Sequence, residues 1–236
     1  MDQVIPGWLS VEELVHHRME SFHRERVRAI VAGEAPFRLK GEAMLVVHLI
    51  PLESVGCPKR YTAFELKLHG QAVRPLGEQY GRPRFNADGF AMHDGEGDVG
   101  AYTQLIRDGR LEAVTTHITY EQHGSKLLRL GWSETATIEL VRQYLGFCQG
   151  IGINHPIWIF AALAGCQDAR SSTWQGFSDV AISRPLVFLP KFAIESFDIE
   201  PVTHVRPLFD CLANAVGFEK SPGYDEQGNR REVRGW

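Results

Sequence analysis

AYTQLIRDGRLEAVTTHITY, residues 101–120, decides the fold class. Ala101–Ile106 and Leu111–Tyr120 are runs rich in β-branched and aromatic residues, and Asp108-Gly109 lies between them. Such a pair reads as a β-hairpin closed by a tight primed turn, which wants positive φ at both central positions. Working outward, Phe85–His93 is a further strand, set off by the turn cluster Asp94-Gly95-Glu96-Gly97-Asp98. Met44–Leu52 (MLVVHLIPL) is too short for a typical helix and rich in β-branched residues, so it reads as a buried strand. Pro156–Ala164 and Pro185–Phe192 read as two more, joined by a polar, Ser-rich stretch from Gln167 to Ser183.

Helices flank these strands. Ser10-Val11-Glu12-Glu13 is a capping box that opens a helix over 11–32, ended by Gly33. Its apolar stripe is Leu14, Met19, Phe22, Val27, Ile30 and Val31, and His16, His17 and His23 join the arginines on a polar face. Ser133 and Glu134 open a second helix through Ile138, Val141, Leu145 and Cys148, stopped by Gly150 and Gly152. Pro207–Val216 is a third, with Gly217 just past its end. The segment from Ser54 to Arg84, broken by Pro58, Gly70, Pro75, Gly77, Gly81 and Pro83, reads mostly as loop. The order of elements predicts an α+β fold, a mixed but mainly antiparallel sheet with flanking helices. A single domain over 1–220 and a loosely held tail over 221–236 are expected.

The chain has 236 residues, 44% of them hydrophobic and 23% charged, with a formal net charge of −4. That is enough apolar content for a real core, and too few cations for a sequence-independent nucleic-acid coat protein. Met1–Ser10 lacks the basic and apolar regions of a signal peptide. The most apolar run, Ile153–Cys166, is interrupted by Asn154, His155 and Pro156 and is too short to span a bilayer. The expectation is a cytoplasmic protein with no membrane association. Cys57, Cys148, Cys166 and Cys211 form no CxxC pair and read as free thiols.

The search for chemistry is mostly negative. The glycine-containing loops at 77–81 and 95–100 match neither GxxxxGK[ST] nor GxGxxG, and there is no GxSxG elbow or HExxH. His117, Glu121 and His123 are residue types that ligate metals. They could share a side only if the strand continued past Tyr120, and Gly124 and Ser125 argue for a solvated strand end instead. No metal or other cofactor is expected. His48, inside an apolar strand, reads as a core histidine. Lys59, Arg60, Lys67, Arg74 and Arg82, interleaved with Tyr61, Phe64 and Tyr80, could contact phosphates and stack bases, or form a solvated loop pinned by its aromatics. Arg84, Asn86 and Asp88, with Tyr102, Gln104 and Arg107, are the candidate ligand-binding residues, because polar groups on central strands either serve a site or are half-exposed. Asn86 and Asp88 could equally cap their own turn.

Several stretches together carry a resemblance: FHRERVRAIVAGE (22–34), LVVHLIPL (45–52), RFNADGF (84–90), YTQLIRDGRLEAV (102–114) and RPLFDCLANAVGFEKSPGYDEQG (206–228). The chain from Phe22 to Gly228 resembles the poorly characterised C-terminal region of bacterial proteins whose N-terminal part is a Schlafen-AlbA-type domain. The resemblance implies a companion or sensing module, for which a Schlafen-AlbA-type chain is one candidate partner, and it is silent on the ligand. It carries over no nucleotide-binding residue, since the Schlafen-AlbA-type part itself is absent. The sequence thus favours a non-catalytic ligand- or partner-binding regulatory module. The alternatives are a nucleic-acid-associated protein using residues 54–84 and a metal-dependent hydrolase using His117, Glu121 and His123.

Overall fold

The computed structural model describes residues 10–56, 58–173 and 176–231. Met1–Leu9, Cys57, Trp174, Gln175 and residues 232–236 lie outside the described residues, so the readings placed on them are not addressed. The fold is α+β: a large antiparallel sheet covered on both faces, with a second, small sheet beside it.

The large sheet runs β11 (Leu186–Phe188), β8 (Ile157–Ala164), β1 (Met44–Pro51), β5 (Leu111–Thr115), β4 (Ala101–Ile106), β3 (Gly89–His93) and β2 (Arg82–Phe85), with β12 (Phe192–Ile194) also on β8. The small sheet orders β10 (Gly176–Phe177), β9 (Arg170–Thr173), β7 (Ser125–Leu128) and β6 (Thr119–Gln122), and its β7–β9 pair is parallel. Every residue of β1 is buried, as a continuous apolar run in a two-sided sheet requires. Leu45, Val47 and Leu49 enter the main core. Met44, Val46 and Ile50 pack on the opposite side, under α1 (Val11–Val31). The main core is closed by α2 (Ala63–His69), α3 (Leu130–Ile151) and α5 (Arg206–Asn214), through Leu66, Val141, Tyr144, Leu208 and Phe209. A short helix, α4 (Pro201–His204), precedes α5. Among the described residues no helix is long and apolar enough to cross a membrane.

The hairpin at 101–120 forms with a different turn. Gly109 N–H donates to Ile106 O at 2.9 Å, and Gly109 has φ +92° while Asp108 does not have positive φ. The loop is a three-residue connection with glycine at the left-handed position, so one positive φ suffices. Two residues expected to start or continue elements do something else. Ser133 does not cap α3: its hydroxyl donates to Arg129 O at 2.6 Å, and the helix begins three residues earlier. Pro190 has no N–H to give a ladder, and the strand expected over 185–192 divides into β11 and β12 around it. The stretch 54–84, read as loop, contains α2, opened by a capping box in which Glu65 N–H donates to Thr62 Oγ1 at 3.2 Å and Thr62 N–H to Glu65 Oε2 at 2.7 Å. Within the segment expected to be loosely held, Ser221 and Tyr224 are buried, and the Tyr224 hydroxyl donates to Val202 O at 2.7 Å.

α1 is held to the sheet by more than apolar contact. His48 and Glu112 are register partners on β1 and β5, and both side chains face the helix. Glu112 is 1% exposed and collects four donors: Arg26 Nε and Nη2 at 2.8 and 2.9 Å, Tyr102 Oη at 2.9 Å and His48 Nε2 at 3.1 Å. A carboxylate can only accept, so His48 Nε2 carries the hydrogen. His48 Nδ1 then meets His23 Nδ1 at 2.7 Å. His48 is a buried histidine with both ring nitrogens bonded. His23, read as part of a polar helix face, is instead 2% exposed among Phe160, Phe188 and His48. Burial works to raise the Glu112 carboxyl, but the bonds and charges of His48 and Arg26 together hold it down at about 2.

Candidate cation site and adjoining groove

Antiparallel pairing brings the end of β3, the start of β4 and the end of β5 to one side of the sheet. Asp94 follows β3, Gly100 precedes β4, and His117 lies two residues past β5. Glu78 arrives from the segment after α2, in a turn where its N–H donates to Pro75 O at 2.9 Å and Gly77 has φ +84°. One ligand atom from each of Glu78, Asp94 and His117 lies within 4.8 Å of the others. His117 Nε2 is 3.3 Å from Asp94 Oδ2 and 3.6 Å from Glu78 Oε1. Ligand atoms bonded to a tetrahedral zinc at 2.0–2.2 Å stand about 3.3–3.6 Å apart, and the two His117 separations match that spacing, the shorter of them being a hydrogen-bond contact in this structure.

The surroundings orient these groups. Gly100 N–H donates to Asp94 Oδ1 at 2.9 Å, which fixes the carboxylate and turns Oδ2 inward. Thr115 Oγ1 accepts from His117 N–H at 3.2 Å. Gly100 also keeps the space open: a Cβ there would fall on His117 Nε2 and come within 2.8 Å of Asp94 Oδ2. Burial raises the pKa of Glu78, His117 works against that rise, and the neighbouring Asp94 adds to it. Two carboxylates in a half-buried place, one of them disfavoured as an anion, gain from a shared cation.

Beside the site lies a groove of about 310 Å³ between residues 74–79 and α3. Glu78 belongs to both, and Trp132 forms its wall, packed edge-on to the His117 ring at 6.4 Å and against Gly77. The lining holds no serine, cysteine or histidine. Thr135 and Gln143 in the lining are engaged: Thr135 Oγ1 donates to Gly131 O at 2.9 Å and accepts from Arg230 Nη2 at 2.6 Å, while Gln143 Oε1 accepts from Arg74 N–H at 2.8 Å. Three protein ligands would leave a coordination position for an oxygen of whatever enters the groove. Such a centre can hold and polarise that oxygen.

The residues singled out in the sequence fall elsewhere, His117 apart. Glu121 sits on β6 opposite Lys126, and His123 occupies the β6–β7 turn with φ +50°. The break between β5 and β6 separates them from His117, which turns to Glu78 and Asp94. Tyr102 joins Glu112. Asn86 Nδ2 donates to Gln104 Oε1 at 2.6 Å, and Asn86 Oδ1 accepts from the N–H groups of Asp88 and Gly89 at 3.1 and 2.9 Å. Arg107 Nε donates to Ala87 O at 2.9 Å, while Arg84 lies over the Phe37 ring at 5.2 Å. Of the basic stretch, Lys59 lies over Tyr61, Lys67 over Phe85, Arg74 bonds to Gln71 O and Arg82 pairs with Glu96; Arg60 lines a different pocket. Glu78 and Asp94 gave no sequence signal, because they are far from His117 in the chain: strand pairing brings Asp94 to it, and the turn after α2 brings Glu78.

No family model matches this chain, and neither the curated proteins nor the solved structures contain a match.

Proposed function

We propose that this protein is a cytoplasmic, non-catalytic binding module that holds a divalent cation at Glu78, Asp94 and His117 and presents it to a ligand in the Trp132 groove. The observation that carries the reading is the convergence of three ligand groups from three separate segments, at metal-ligand spacing, around a glycine that keeps the place open. Two carboxylates and one imidazole suit zinc or manganese. A groove lining without serine, cysteine or histidine supports binding over turnover. The resemblance to the region that accompanies Schlafen-AlbA-type domains supports a regulatory role beside such a partner chain.

Calorimetric titration of tag-free protein with Zn²⁺ and Mn²⁺ tests this. One equivalent is expected to bind. His117→Ala and Asp94→Asn should each weaken it by roughly 100-fold, the scale on which ligand-shell changes act. Gly100→Ala should weaken it comparably without removing any ligand. No saturable binding, or binding indifferent to all three variants, overturns the reading.

A further inference from the structure

At the opposite end of the β3–β4–β5 strands lies a second concave place, a pocket of about 340 Å³ between α1, the segment after β1 and the β4–β5 turn. Arg18, Arg60 and Arg110 line it, against one acid, Asp108. That is a local excess of two positive charges in a chain of net charge −4. Arg110 is fixed in place. Its Nε donates to Asp108 Oδ2 at 3.0 Å, and its guanidinium lies 3.9 Å from the centre of the Phe22 ring. Arg18 and Arg60 are exposed and form no ion pair with any described residue. The rest of the lining includes the partly exposed Phe22 and Pro58 beside Ser54 and the backbone of Gly56.

Three guanidiniums lining one recess repel each other, and an anion entering it would offset that repulsion. Arginine's planar fork matches the oxygens of phosphate. A concave, partly apolar site suits a small ligand better than a continuous backbone, which is tracked by an open groove. We propose that this pocket binds a small phosphomonoester, its phosphate between Arg18, Arg60 and Arg110 and its apolar body over Phe22 and Pro58. The site is separate from the cation site and needs no metal.

The test is titration with inorganic phosphate and with phenyl phosphate, followed by calorimetry in the presence of EDTA at low and at moderate salt. Saturable binding is expected, tighter for phenyl phosphate and weaker as salt rises. The double variant Arg18→Ala/Arg60→Ala should lose about tenfold or more in affinity, as expected when charge-assisted contacts go, with an unchanged melting temperature because both side chains are exposed. Absence of binding at low salt, or an unchanged affinity in the double variant, overturns the proposal. Tighter binding of a single-stranded oligonucleotide, lost in the same variant, overturns the small-molecule assignment. EDTA keeps the outcome independent of the cation site.

Discussion

Glu112→Gln is expected to destabilise the fold by about 3 kcal/mol, the lower end of the range for breaking a buried ion pair from one side. The substitution keeps the shape, so it opens no cavity. What it removes is the acceptor that four donors share. An amide oxygen cannot serve Arg26, Tyr102 and His48 together, and the amide's NH₂ faces donors. Arg26 limits the loss, because its side chain is 31% exposed and can return partly to water. Tyr102 and His48 cannot, since both are 0% exposed. Urea unfolding of the variant at neutral pH gives the number. A loss under about 1 kcal/mol, the value of a surface pair, would mean that the network holds α1 no better than a solvated ion pair does.

Acid should unfold this protein early, and His23 should be the main reason. Burial, with His48 next in effect, lowers the pKa of His23 from 6.5 to about 2. Between those values the unfolded chain holds a proton there that the folded chain does not. Stability therefore rises with pH across that window and is lost as pH falls below 6.5, at up to about 1.4 kcal/mol per pH unit. Glu112 adds to the loss at lower pH. Its folded pKa is depressed from 4.5 to about 2, so its contribution is complete above 4.5 and disappears as pH falls toward 2. His23→Asn replaces the ring by an amide that can still meet His48 but cannot titrate. The variant should be less stable at neutral pH and flatter between pH 6.5 and 5. Denaturation midpoints at several pH values decide it, and a variant with the same slope as the parent would acquit His23.

The sequence made the α+β class and the antiparallel sheet legible for a physical reason. Asp108-Gly109, the run over 44–52 and the Ser10 capping box are local signals, and their chemistry acts over a few residues. α2 was equally local: the Thr62-x-x-Glu65 box has the same form as that at Ser10, but the prolines and glycines around it masked it. The cation site was not local. Glu78, Asp94 and His117 share no element and no spacing: the register of β3, β4 and β5 brings Asp94 and His117 together, and the turn after α2 adds Glu78. The buried network was half legible. His48 stood out in an apolar strand, whereas Glu112 drew no reading in its hairpin arm. Pairing with His48 places it under α1.

β2 ends the large sheet, and all four of its residues, Arg82, Pro83, Arg84 and Phe85, are exposed. An open strand edge invites the edge of another molecule, and chains that stay apart blunt it with charge and proline. Pro83 lacks an amide hydrogen, and two arginines flank it. Cations and a proline on this edge oppose edge-to-edge pairing of one copy's sheet with the next, so Pro83→Val with Arg84→Val is expected to promote self-association, read by sedimentation.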